Sequence, residues 1–194
     1  LDEQGGLVGV PHEPSAADAL PLVWACSDFV ADACLRDREL LPWLFAERRL
    51  SEPHELADFE CDLESAVVPS STDDAAFMDA LRRFRRRHLV RIAWRDLAGL
   101  ADVDTVLREL SLLADVCIRA ACRYAGAALT ARHGAPRGSD GAPLDLPVLA
   151  MGKLGGGELN FSSDIDLVFL FPEHGETGGA RPLEHEEYFA RLGR

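Results

Sequence analysis

Lysine is almost missing from this chain. Lys153 is the single one among 20 basic residues, so any task that needs a compact, strongly hydrated ammonium falls to that side chain. No excess of positive charge exists either. The net charge of −13 excludes a general affinity for nucleic acid phosphates, which requires a concentrated basic surface. No apolar run approaches the length of a membrane span, so neither nucleic acid nor membrane is an expected partner. The five cysteines at 26, 34, 61, 117 and 122 form no Cys-x-x-Cys pair. Their odd number and apolar settings predict small buried thiols in a reducing cytoplasm. The six histidines show no metal-ligand spacing, so a zinc site is not expected, and no Gly-x-Ser-x-Gly elbow marks a serine hydrolase.

What is present is a soluble-protein composition, 47% hydrophobic over 194 residues, enough for one or two cores. Residues 1–15, rich in Gly and Pro, read as a flexible lead-in. From 16 to 132 apolar residues recur at three- and four-residue steps, which predicts a helical region. Pro69 to Asp74 reads as a loop ending in capping residues. The clearest helix follows, near Asp74 to Ala98, with Phe77, Leu81, Phe84, Leu89, Ile92 and Trp94 as its buried side. Its many arginines suit internal pairing, a solvated face, or docking to an acidic partner. Gly99 ends that helix, and Asp102 or Asp104 caps the next, which runs to about Arg132.

Residues 133–147, dominated by Gly, Pro, Ser and Asp, read as a linker. The period then changes. Pro147 to Met151 reads as a short buried strand, Lys153 to Leu159 as a glycine-rich turn and helix, and Ile165 to Phe171 as a central strand, apolar on both faces. Pro182 to Arg194 starts another helix. The chain opens on Leu1 and stops inside that expected helix, so it reads as a fragment.

The segment from Met151 to Phe171 carries the chemistry. Asp164 and Asp166, one residue apart on an extended segment, point the same way and offer adjacent hard oxygens. Such a pair can share Mg²⁺ or Mn²⁺ and leave positions for phosphate oxygens and water. Alternatively, two acids at a strand start serve a turn or a solvated edge. The glycines from Gly152 to Gly157 permit a tight turn or let backbone N–H groups approach a phosphate. The order of residues is not that of a Walker P-loop, because Lys153 precedes the glycine cluster. Ser162 and Ser163 cap the turn or contact phosphate.

Gly152-Lys-Leu-Gly-Gly, Glu158-Leu-Asn, Ser162-Ser-Asp-Ile-Asp and the apolar strand after them resemble the signature of the glutamine synthetase adenylyltransferase/deadenylyltransferase family, a branch of the DNA polymerase β-like nucleotidyltransferases. Phe84-Arg-Arg-Arg and Arg91-Ile-Ala-Trp-Arg-Asp-Leu97 extend the likeness upstream, and Ser27-Asp-Phe-Val30 does so more loosely. The form around Asn160 looks like the N-terminal, adenylyl-removing domain. Gly157 departs from the pattern, since the family often has Arg or Lys there.

The resemblance implies an α+β fold, a helical N-terminal region followed by the start of a polymerase β-like mixed sheet over residues 148–194. It implies Asp164 and Asp166 as catalytic metal ligands, with Gly152, Lys153, Gly155, Gly156, Ser162 and Ser163 around nucleotide phosphates. Mg²⁺ or Mn²⁺, ATP or ADP, and phosphate are the expected small molecules. Glutamine synthetase and a PII-type signalling protein are the expected partners. A third carboxylate is expected beyond Arg194, which would leave these 194 residues inactive by themselves. Two alternatives stay open: an inactive nucleotide- or protein-binding module of the same fold, and a nucleotidyltransferase with another substrate.

Overall fold

A computed structural model describes residues 17–46, 48–67 and 73–194. The expected lead-in and most of the Pro69 to Asp74 loop lie outside the described residues. Six helices come first: α1 (Leu20–Cys26), α2 (Asp28–Arg36), α3 (Leu40–Phe45), α4 (Leu56–Ala66), α5 (Asp74–Leu97) and α6 (Val103–His133). Then come β1 (Val148–Ala150), α7 (Gly152–Gly155), β2 (Leu167–Phe169) and α8 (His185–Leu192). The class is α+β, dominated by helix, with one small antiparallel sheet among the described residues. Among the described residues no helix is long and apolar enough to cross a membrane.

Side-chain caps set several of the helix starts. Ser27 accepts from the Val30 amide to open α2, and Glu55 with Asp58 forms a capping box at α4. Asp73 takes the amides of Ala75 and Ala76, and Asp102 takes that of Thr105. Between the two long helices Gly99 sits at φ 68°, a left-handed conformation that suits glycine after a helix end.

The 24-residue α5 is shared by two cores. Phe77, Phe84 and Ile92 join α4 and α6 in one cluster, while Val90, Ala93 and Trp94 join α1, α2 and α3 in the other. Trp94 therefore packs on the opposite side from the phenylalanines with which the sequence pattern grouped it.

Between the cores the arginine pattern divides. Arg82, Arg83, Arg85 and Arg86 are exposed, Arg87 pairs with Asp37, and Arg91 and Arg95 are buried at 0% and 2% exposure. The buried pair meets Glu109 of α6, also 0% exposed: Arg91 Nη1 donates to Oε1 at 2.8 Å and Arg95 Nη1 to Oε2 at 2.6 Å. Four more guanidinium hydrogens reach the carbonyls of Arg49, Leu50, Glu52 and Leu100. This network ties the segment before α4 to both long helices.

The strands differ from expectation in extent and burial. β1 pairs β2 antiparallel, with Val148 opposite Phe169, Leu149 opposite Val168 and Ala150 opposite Leu167. An apolar run on both faces suggested a central strand, yet among the described residues β2 has one neighbour, and Val168, Phe169 and Leu170 are each about 40% exposed. Leu149, in the strand expected to be buried, is likewise exposed. The cysteines correct a further expectation: only Cys34 is buried, Cys117 and Cys122 are half-buried, and Cys26 and Cys61 are exposed.

Candidate active site

The glycine-rich turn is docked on the helical core by two leucines. Leu154 and Leu159, 6% and 7% exposed, belong to the cluster formed by α4, α5 and α6. The Leu159 amide donates to the Ser111 hydroxyl at 3.0 Å, and that hydroxyl donates to the Leu107 carbonyl within α6 at 2.8 Å. Ser111 is a positioning residue that motif reading missed, because nothing in a helical serine announces a partner 48 residues away. Ser111→Ala leaves a buried amide without an acceptor and is expected to cost about 1–3 kcal/mol. Thermal melts check the cost, and faster hydrogen exchange at Leu159 checks its location.

Two glycines have distinct reasons to be there. Gly152 opens α7 at φ 57°, where a side chain is strained. At Gly155 a Cβ would collide with the Ala150 carbonyl oxygen, so only glycine lets α7 lie this close to β1. The amides of Gly155 and Gly156 donate to the carbonyls of Met151 and Gly152 at 3.3 and 3.1 Å. The first-turn amides of Gly152 and Lys153 have no such intrahelical acceptor, as at any helix start. Lys153 is exposed and has no ion-pair partner among the described residues.

The acids enter from the second strand. β2 begins at Leu167, so Asp164 and Asp166 lie on the segment just before it and not within the strand. The Met151 amide donates to the Asp166 carbonyl at 2.9 Å, one step beyond the strand ladder. That bond sets the acid segment beside the start of the glycine turn. Both aspartates are exposed, and neither is paired with a cationic side chain among the described residues. Asp164 also lines a cleft of about 560 Å³, together with Arg85, Cys117 and Phe161. Ser162 and Ser163 both donate to the Asn160 side-chain oxygen, at 3.3 and 2.6 Å, so Asn160 holds the turn that leads into the acids.

Among the described residues no third carboxylate, thiol or imidazole gathers with Asp164 and Asp166. The one such group of three lies elsewhere: His54, Asp62 and His88 place ligand atoms within 4.8 Å of one another. Spacing along the chain could not show it, since the three come from a loop, α4 and α5.

Comparison with known proteins first matches the chain to a class of sequences described as adenylyltransferases. It belongs, specifically, to the glutamate-ammonia ligase adenylyltransferase family, whose sequence profile matches residues 17–194. A bifunctional glutamine synthetase adenylyltransferase/adenylyl-removing enzyme of Thioalkalivibrio sulfidiphilus is 44% identical over 187 residues, 96% of this chain and 19% of the relative. An enzyme of the same description from Nitrosococcus oceani is 48% identical over 177 residues, 90% of this chain and 18% of the relative. Another, from Shewanella loihica, is 42% identical over 184 residues, 93% and 19% respectively. The chain thus spans about a fifth of the length of the curated relatives it matches.

Proposed function

We propose that this chain carries the glycine turn and the acid pair of an adenylyl-removing site acting on glutamine synthetase in the cytoplasm, under the control of a PII-type signalling protein. The observation that carries the reading is the Met151-to-Asp166 backbone bond, which sets the main chain of the acid segment beside the start of the glycine turn. Asp164 and Asp166 fit Mg²⁺ or Mn²⁺, because both are exposed, oxygen-only donors free of any cationic partner among the described residues. When bound, such ions neutralise phosphate charge and polarise the attacking and leaving oxygens.

The chain's own groups do the rest. The Lys153 ammonium and the Gly152 and Lys153 amides orient phosphate oxygens, with Gly155 and Gly156 allowing the turn its close approach. Ser162 and Ser163, gathered by Asn160, sit next to the acids as further phosphate contacts. In the reaction an oxygen of inorganic phosphate bonds to the adenylyl phosphorus, and the bond from that phosphorus to the tyrosyl oxygen breaks. The tyrosyl oxygen keeps the electron pair and takes a proton, giving ADP and unmodified tyrosine. ATP-dependent addition of AMP belongs, on this reading, to a second domain of the full-length enzyme. With full-length protein, adenylylated glutamine synthetase and phosphate, ADP is expected to form, to stop on adding EDTA, and to resume with Mg²⁺ or Mn²⁺. ADP formation indifferent to the chelator would contradict the role given to the acids.

A further inference from the structure

His54, Asp62 and His88 stand apart from the proposed active site, on three different elements. His54 lies on the loop before α4, Asp62 on α4 and His88 on α5. Their ligand atoms lie within 4.8 Å of one another, and His88 Nε2 is 3.5 Å from Asp62 Oδ2. His88 is 1% exposed and His54 9%, yet Nδ1 of each is buried with no hydrogen-bond partner. The His88 atom that faces Asp62 is Nε2, a different ring atom from its orphaned Nδ1, so what marks the group is the convergence of two imidazoles and a carboxylate.

Burial, and then the charge of Arg91, pushes the His54 imidazole down to about 4, and burial holds His88 well below its ordinary value. The surroundings include cationic groups, namely Arg49, Arg87 and Arg91. Each is already in an ion pair, with Asp62, Asp37 and Glu109 respectively. Asp58 and Glu109 add negative charge near His54.

We propose that His54, Asp62 and His88 form a binding site for a divalent transition-metal ion of the Zn²⁺ type. Two imidazoles and one carboxylate are a common zinc donor set, with ligand distances of about 2.0–2.2 Å. Drawing the donors to those distances closes a pair 4.8 Å apart by about 1.4 Å. Support for the ligands is already in place. Arg49 holds both Asp62 oxygens, at 2.5 and 3.0 Å, and the His54 amide donates to Glu109 Oε1 at 2.5 Å. A carboxylate has lone pairs to spare beyond such a fork. Two surface clefts give access: one, of about 740 Å³, is lined by His54, Asp58, Cys61 and Asp62, and the other, of about 660 Å³, by Trp43, Asp62 and His88. Occupancy would clamp the 53–55 loop and α4 onto α5, beneath the core that carries Leu154 and Leu159.

The test is a Zn²⁺ titration of the chelator-stripped full chain against a chromophoric competitor, with Co²⁺ as a spectroscopic substitute. One equivalent of Zn²⁺, a visible absorption band of tetrahedral cobalt displaced by zinc, and a higher melting temperature are expected. His54→Gln and Asp62→Asn should each weaken binding at least tenfold while far-UV circular dichroism and cooperative melting persist. His88→Gln sits deeper in the core, so the wild-type cobalt band serves as the readout that does not depend on a variant folding. Absence of that band together with no stoichiometric zinc overturns the proposal. So does binding that survives in both His54→Gln and Asp62→Asn, which would put the metal elsewhere, for example on Asp164 and Asp166.

Discussion

Asp164→Asn in the full-length protein should lower ADP formation from adenylylated glutamine synthetase by at least about a hundredfold, without loss of folding. Outer-shell changes at metal sites already cost about 10–100-fold, and on the present account Asp164 is a direct ligand. An amide keeps the shape of the carboxylate and loses its charge, so a metal ion is held less tightly and phosphate charge is left unneutralised. Stability gives the contrasting half of the result. Asp164 is exposed and supports no ion pair among the described residues, so the melt should shift by no more than about 0.5 kcal/mol. Asp166→Asn should behave alike, because the bond from Asp166 to Met151 uses its backbone carbonyl and not its side chain. A variant that unfolds, or one that stays active, would each contradict the assignment in a different way.

Glu109→Ala is expected to do the reverse, removing stability through a residue outside the proposed site. It would strip the shared acceptor from Arg91 and Arg95 in a site where all three side chains are at most 3% exposed. Breaking a buried ion pair by deleting one partner costs about 3–5 kcal/mol, since the charge left behind has neither water nor a counterion. Against a typical domain stability of about 5–15 kcal/mol that is a large loss. Replacing the arginines does not restore balance, because their other hydrogens satisfy the carbonyls of Arg49, Leu50, Glu52 and Leu100. Urea denaturation of Glu109→Ala and Glu109→Gln measures the effect. A loss under about 1 kcal/mol for the alanine variant would show that the network is not the tie described above.

Local chemistry was legible in the sequence and long-range pairing was not. Asp102 as a cap and Gly99 as a stop act within a few residues of their position, so composition and spacing reveal them. Arg91 and Arg95 look no different from Arg82 or Arg86 in a basic run. Only the packing of α5 between two cores turns them inward to Glu109. β2 failed for a related reason: an apolar run reports the composition of both faces but not the number of neighbouring strands. The acid pair and glycine turn were visible as a motif, whereas Ser111, which fixes their height on the helical core, was not. The His54, Asp62 and His88 group was hidden for the same reason, its members being 8 and 26 residues apart on separate elements.

On the proposed reading, these residues belong to the adenylyl-removing site and not to an adenylylating one. Radiolabelled inorganic phosphate, given with adenylylated glutamine synthetase to wild-type and Asp164→Asn full-length enzyme, tests it most directly when ATP-dependent AMP addition is measured alongside. Label in the β-phosphate of ADP is expected for the wild type, with its loss in the variant and AMP addition preserved in both. Labelled ADP from the variant at the wild-type rate, or AMP addition lost while labelled ADP persists, would contradict it.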